Sequence, residues 1–369
     1  MESRMRFLTW YRAGLLVMTN FAILAVDFHV FPRRFAKAEV YGSGLMDVGT
    51  GSFVFAQGLV RGSASHRPQQ GDSSSGRRQR QTWRSALLTA GPLFLIGAAR
   101  MAAVKSVEYQ EHFSEYGVHW NFFMTLAAVV LLAKVLPVPE QPEWRAAAGA
   151  VVAVAHQAML LGGLGEVALS DQRGPGLLSL NKEGLISLPG YFALHCLGWG
   201  AGGAGRAVLR LRTAGLLPGL VATMAAACIS LWLATVASRG AVEPVCRRSC
   251  NLAYILWVAA HNCSALSVFL LADILGRDST GSWRPMLGLA GTLSDHMLEA
   301  FLIANLLTGA VNLSIDTLQV GATAAGYILV GYMLLQCLLV QLLRSAKLGV
   351  RRRAASQSDT GQRGGTKPE

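Results

Sequence analysis

The chain has 369 residues, of which 52% are hydrophobic and only 15% charged, too apolar for an ordinary soluble domain of that length. Its net charge of +12 would suit nucleic acid, but the basic residues fall in short gaps between apolar runs and in the tail, and no basic face with interleaved aromatics occurs, so that class is excluded. What is left is a membrane protein whose surplus cations mark topology.

In chain order, the first apolar run continues past signal-peptide length into "VDFHVFPRRF" without a small-residue cleavage site, so it is read as a retained spanning helix. A span takes roughly 20 mostly apolar residues, and about ten stretches meet that criterion: near 10–28, 43–60, 86–104, 119–137, 145–163, 188–205, 215–235, 251–272, 290–311 and 319–343. The expected fold class is all-α: a polytopic membrane protein, residues 1–345 forming a single bundle of about ten transmembrane helices. Gly-rich stretches such as "HCLGWGAGGAG" suit close helix contact in lipid. With the N-terminus taken as cytosolic, that side collects about 22 Lys and Arg against about 9 on the other, which places both termini in the cytosol. The segment 63–85 reads as a flexible basic cytosolic loop and 346–369 as a disordered basic tail, both polar and without periodicity. No internal repeat announces a transporter of inverted halves.

Ionisable groups inside or beside spans are costly, which makes each a candidate functional group until a partner explains it. They cluster in four places: "VDFHVFPRRFAKAE" with Asp27, Arg33, Arg34, Lys37 and Glu39; "GLMDVGTGSFVF" with Asp47; "VKSVEYQEHFSEYGVHWNFF" with Lys105, Glu108, Glu111, His112, Glu115 and His119; and "LSLNKEGLISLPGYFALH" with Asn181, Lys182 and Glu183. The topology puts the first, third and fourth on one lumenal face, and the cations of the first run against the positive-inside preference. Plainer readings stand beside these: Asp27 as the partner of Arg33 or Lys37 in an interfacial salt bridge, Asp47 as a helix N-terminal charge, and the buried histidines His156, His195, His261 and His296 as satisfied core residues. Asn305 and Asn312 are read as interhelical hydrogen-bonding groups. "CRRSC" pairs Cys246 with Cys250 but lacks the other half of a zinc site; two free thiols are the reading, with a local disulfide as the alternative.

Several chemistries are absent from the chain: the G-x-S-x-G elbow, the Walker loop, H-E-x-x-H and paired C-x-x-C. No histidine is followed by aspartate five positions later, and no D-H-H-C occurs. A covalent acyl-enzyme, a metal and a resident cofactor are accordingly not expected.

The segments "AVDFHVFPRRFAKAEVYGSGLMDVGTGSFVFAQGLV", "SVEYQEHFSEYGVHWNFFMTLA", "NKEGLISLPGYFALH" and "FLIANLLTGAVNLSIDTL" together resemble the signature segments of the glycosylphosphatidylinositol (GPI) inositol acyltransferase family, phosphatidylinositol-glycan biosynthesis class W, in register from Tyr11 to Leu343. The resemblance implies a multi-pass endoplasmic reticulum enzyme. Its reaction would move a long acyl chain, usually palmitoyl, from acyl-CoA as co-substrate onto the inositol 2-hydroxyl of glucosaminyl-phosphatidylinositol. Those two molecules and membrane lipids are the partners expected. Family members carry further spans ahead of the matching portion, including an "LNGT"-like segment without counterpart here, so the chain is read as N-terminally shortened.

Acyl transfer to an alcohol needs a base for the hydroxyl proton and a donor for the developing oxyanion. Asp27 is the candidate base, since a carboxylate in a low-dielectric setting gains proton affinity, and Lys37 is the candidate that orients it or stabilises the oxyanion. The resemblance points to the same two residues. Arg33 and Arg34 suit phosphate, of the lipid or of CoA, through the guanidinium fork. Lys105, Glu111, His112, Asn181 and Lys182 are candidate partners of the sugar headgroup. The rival readings are a multispanning lipid or solute transporter and a catalytically incompetent short isoform.

Overall fold

The apolar runs become a succession of helices in the computed structural model, which describes residues 6–64, 75–106, 115–213, 217–275 and 284–363. In chain order they are α1 (Arg6–Ala25), α2 (Leu45–Ala64), α3 (Ser75–Ser106), α4 (Phe122–Val135), α5 (Pro142–Met159), α6 (Gly165–Leu169), α7 (Leu177–Leu180), α8 (Lys182–Thr213), α9 (Leu217–Ala241), α10 (Leu252–Leu275), α11 (Arg284–Asp295), α12 (Met297–Ser314) and α13 (Ala322–Arg363). No strand occurs among the described residues. In hydrocarbon only a helix satisfies its own backbone polar groups within one segment, which makes this the form such runs must take.

Among the described residues, seven helical stretches are long and apolar enough to cross a bilayer: α1, Trp83–Ala102, Pro142–Leu169, Val221–Ala241, Leu252–Ile274, α12 and Ala322–Lys347. The chain is an all-helical, polytopic membrane protein. The expectation of about ten spans exceeds that count for local reasons. Helix α4 is apolar but has 14 residues, while α2 carries Asp47, Gln57 and Arg61, and α8 carries Lys182, Glu183, Arg206 and many glycines. The run expected over 290–311 is interrupted at His296, between α11 and α12.

Helix also occurs within the two segments read as a flexible loop and a tail. Helix α2 reaches Ala64 and α3 starts at Ser75, so both ends of the 63–85 loop are helical, and α13 continues through the basic tail to Arg363. Extending an existing helix carries no nucleation cost, and "RRRAASQ" is rich in helix formers.

The chain divides into two units, Met1–Phe35 with Val268–Glu369, and Ala36–Ser267. In the first, α1 packs against α11 and α12, and α12 against α13. The Tyr332 hydroxyl of α13 lies 3.0 Å from the Asn20 carbonyl of α1 and 3.3 Å from that of Ala304 in α12. The Asn305 amide, expected to bond between helices, donates to the Phe301 carbonyl of its own helix at 2.7 Å.

In the second unit α8 is central, packed by α2, α4, α5 and α9. The α2–α8 contact is reciprocal. A Cβ on Gly58 or Gly62 would overlap the carbonyl oxygens of His195 and Trp199, and one on Gly198 or Gly202 would overlap those of Phe55 and Leu59. Each helix thus presents a pair of glycines four apart to the other's backbone, the close approach that drives association where lipid removes the hydrophobic effect. Asn121 caps α4 by accepting from Phe123 N and Met124 N, and its amide donates to the Gly97 carbonyl of α3 at 2.8 Å. These contacts fix the helix ends from which the loops of the candidate site depart.

Candidate functional site

The chain leaves α1 at Ala25, places Asp27 in the turn beyond the spanning helix, and forms a short 3-10 turn at Arg33–Phe35. Asp27 is partly buried, and the amide of Asn312, in the last turn of α12, donates to its Oδ2 at 2.8 Å. Burial raises the pKa of Asp27 above the usual carboxylate value, against the opposing effects of the Asn312 bond and the Arg33 charge. A neutral amide orients the carboxylate without pinning it in the charged form as a cation at contact would. Asn312 also begins the segment Asn312–Leu318, which lines an open cavity of about 480 Å³.

Arg33 and Arg34 are both exposed. Arg33 donates to the Val26 carbonyl at 2.9 Å, and the Arg34 guanidinium lies 5.0 Å from the centre of the Phe35 ring. Within the first unit, then, the acid is partly buried beside Asn312 and the two arginines are exposed.

The second unit carries a denser charge cluster where four loop segments meet. Asp47, in the first turn of α2, is fully buried. It accepts from the backbone of Ala38 and Gly44, each at 3.0 Å, and from Arg247 Nε at 2.8 Å. Arg247 also reaches Glu115 at 3.2 Å, and Glu115 pairs with Lys37 Nζ at 2.9 Å. The result is an alternating chain, Asp47–Arg247–Glu115–Lys37, that runs outward from a fully buried acid to a lysine whose side chain is 44% exposed. Burial works against the charge on Arg247, but the neighbouring Glu115 and Asp47 carboxylates outweigh it and hold its pKa above the ordinary arginine range. Tyr254 Oη donates to the Asp47 carbonyl at 2.8 Å, and Gly42 N donates to the Val245 carbonyl at 2.9 Å. Nearby, Tyr41 donates to Glu243 at 3.0 Å, and burial followed by that bond pushes its pKa up to about 12.

Of the residues expected to touch the headgroup, Asn181 and Lys182 are engaged by backbone. Asn181 Oδ1 accepts from His119 N at 2.7 Å, and Lys182 Nζ donates to the Ser170 and Gln172 carbonyls at 2.6 and 2.8 Å. Both are buried and hold the loop before α8 in shape. Glu183 forms a two-pronged pair with Arg173, at 2.6 and 3.1 Å. The side chain of Lys105, together with Glu111 and His112, lies outside the described residues. Cys246 and Cys250 are free and buried, as read from their spacing.

Of the charged stretches expected on one face, the second unit joins the loop at Lys37, the turn at Glu115–His119 and the segment Leu180–Gly184 by the bonds above and by Val118 N to Leu180 O, 2.9 Å, while Asp27, Arg33 and Arg34 belong to the first unit. What sequence reasoning missed is Arg247 and the reach of Asp47 to it. The signal was there in "CRRSC", two arginines on the side where cations are disfavoured, which was read for its cysteines alone.

Long apolar helices whose connecting loops gather buried, mutually compensating charges define a multi-pass membrane protein with a polar cluster at its helix ends. More narrowly, the chain belongs to the family described as GWT1, whose model matches residues 1–343. It is 38% identical over 342 residues to GPI-anchored wall transfer protein 1 of Emericella nidulans, covering 88% of this chain and 69% of that one. It is also 38% identical over 312 residues to an uncharacterized protein of Arabidopsis thaliana, covering 84% and 66%. With the glucosaminyl-phosphatidylinositol-acyltransferase PIGW of Homo sapiens the identity is 34% over 351 residues, covering 84% and 67%. The family read from the motifs is thereby borne out, and the chain spans about two thirds of the length of these curated relatives.

Proposed function

We propose that this chain acts in GPI-anchor biosynthesis as a membrane-bound O-acyltransferase. In this reading it moves a long-chain acyl group, palmitoyl above all, from acyl-CoA to the inositol 2-hydroxyl of glucosaminyl-phosphatidylinositol. The place is the endoplasmic reticulum membrane, with both termini of the chain in the cytosol and the loops described above facing the lumen. Support comes from membership of the GWT1 family and from the name carried by the human relative. The observation that carries the chemistry is the setting of Asp27, a carboxylate of raised proton affinity held by a neutral amide.

The inositol oxygen attacks the thioester carbonyl as its proton passes to Asp27; a C–O bond forms, negative charge develops on the carbonyl oxygen, and the C–S bond then breaks to release the CoA thiolate, which takes up a proton. A positioned base typically contributes on the order of a hundredfold to ten-thousandfold. Lys37 supplies positive charge toward the oxyanion, and its exposed ammonium beside Glu115 is consistent with that use. Each role rests on the residue's own surroundings.

The test is complementation of cells that lack inositol acylation, read as acylated glucosaminyl-phosphatidylinositol in microsomes. The wild-type chain is expected to restore the product. Asp27→Ala and Lys37→Ala are expected to lower it by about a hundredfold or more at equal expression. A wild-type chain that is expressed and yields no product removes the acyltransferase reading, and near-normal product from either variant removes that residue from the chemistry.

A further inference from the structure

The turn Arg247–Cys250, closed by Cys250 N to Arg247 O at 3.2 Å, places two arginines side by side in opposite circumstances. Arg247 is matched by two carboxylates. Arg248 is only 6% exposed, and its Nε and Nη2 are buried with no hydrogen-bond partner among the described residues. Beside it, the hydroxyl of Ser249 is buried and unpartnered as well. The turn is not loose: His156 Nε2 bonds the Ser249 carbonyl at 2.9 Å, Asn251 Oδ1 accepts from Cys246 N and Tyr254 N, and Leu252 N donates to Gln157.

A buried guanidinium without a counter-charge is among the costliest arrangements a fold can hold, and buried charges are ordinarily paired. The two idle atoms are the side edge of the fork, the parallel donors that match two oxygens of one phosphate. The N-terminus of α10, the 24-residue helix that starts at Leu252, adds the partial positive charge of its first turn.

We propose that Arg248, with Ser249 Oγ as a third donor, binds the phosphate of a substrate, an ester phosphate of either the inositol phospholipid or CoA. The assignment rests on the acyl-transfer reading for its choice of ligands. The exposed Arg33 and Arg34 would meet a phosphate in water; Arg248 meets one in a dry setting, where each charge-assisted bond is stronger.

The test uses the purified full chain in lipid nanodiscs and follows its melting temperature with four probes: CoA, pantetheine, glycerophosphoinositol and free inositol. The wild-type chain is expected to be stabilised by CoA or by glycerophosphoinositol and not by its phosphate-free counterpart, and the responding pair identifies the source. Arg248→Gln should weaken that response about tenfold or more, while Arg248→Lys, which keeps the charge but loses the fork, should fall between. The ligand-free Arg248→Gln chain should melt no lower than wild type, because it loses an uncompensated buried charge and no contact. The assignment is overturned by an unchanged response in Arg248→Gln, by no response of the wild type to either phosphate probe, or by a lower melting temperature of the ligand-free variant. A wild-type chain that shows the shift yet transfers no acyl group keeps the phosphate site and removes the acyl-transfer reading.

Discussion

Asp27 and Asp47 stand at corresponding points of their units, each where an apolar helix meets a loop, and they have opposite partners. Asp27 receives one hydrogen bond from a neutral amide, Asn312. Asp47 receives two from backbone N–H groups and one from a buried guanidinium. An acid surrounded by charge-matched donors is tied into the architecture, whereas one held by a single amide in a partly buried turn has its proton affinity raised by burial. Position at a helix end does not distinguish the two roles; the partner does.

That contrast is most exposed to test at Asp47. Asp47→Ala leaves Arg247 buried and short of one carboxylate and frees the Ala38 and Gly44 N–H groups, and a loss of about 3–5 kcal/mol is expected on breaking such a pair. It should appear as a lowered melting temperature of the purified chain. A variant that instead folds normally and has lost only turnover would make Asp47 part of the chemistry.

A smaller and subtler effect is expected at Asn312. Its bond favours the carboxylate form of Asp27, so Asn312→Leu should raise that pKa further and move the acidic limb of the rate against pH toward higher pH. The sign for stability agrees. Because folding raises the pKa above its ordinary 3.8, the contribution of protonated Asp27 is fully present below that value and fades as pH rises through the folded one. In the variant this loss should extend to higher pH, and in Asp27→Asn it should vanish. An acidic limb that stays in place would show that Asn312 does not govern Asp27.

The least stability effect belongs to Lys37. Its pair with Glu115 is 44% exposed on the lysine side, and such pairs contribute about 0–1 kcal/mol. Lys37→Ala should therefore melt within a degree or two of wild type while losing activity as described above. A large drop in melting temperature would instead class Lys37 with Asp47 as an architectural residue.

Much of this was legible before any coordinates. The apolar runs announced helices, and the motif segments announced the family, because both are properties of residues close together in the chain. The glycine pairs of α2 and α8 were visible as Gly-rich stretches, but not as each other's complement, since that depends on which helices meet. Asn181 and Lys182 read as headgroup ligands because their types suit sugar; their bonds to loop carbonyls and backbone N–H groups became visible only once α8 and the preceding loop were in place.

Helix positions, membrane class and the stock of ionisable groups follow from local hydropathy and residue type, which act over a few turns of chain. Which acid meets a guanidinium, which meets an amide, and which arginine is left without an anion follow from contacts between residues some 200 to 285 positions apart. Coulomb and desolvation energies depend on distance and burial in space, and separation along the chain reports neither.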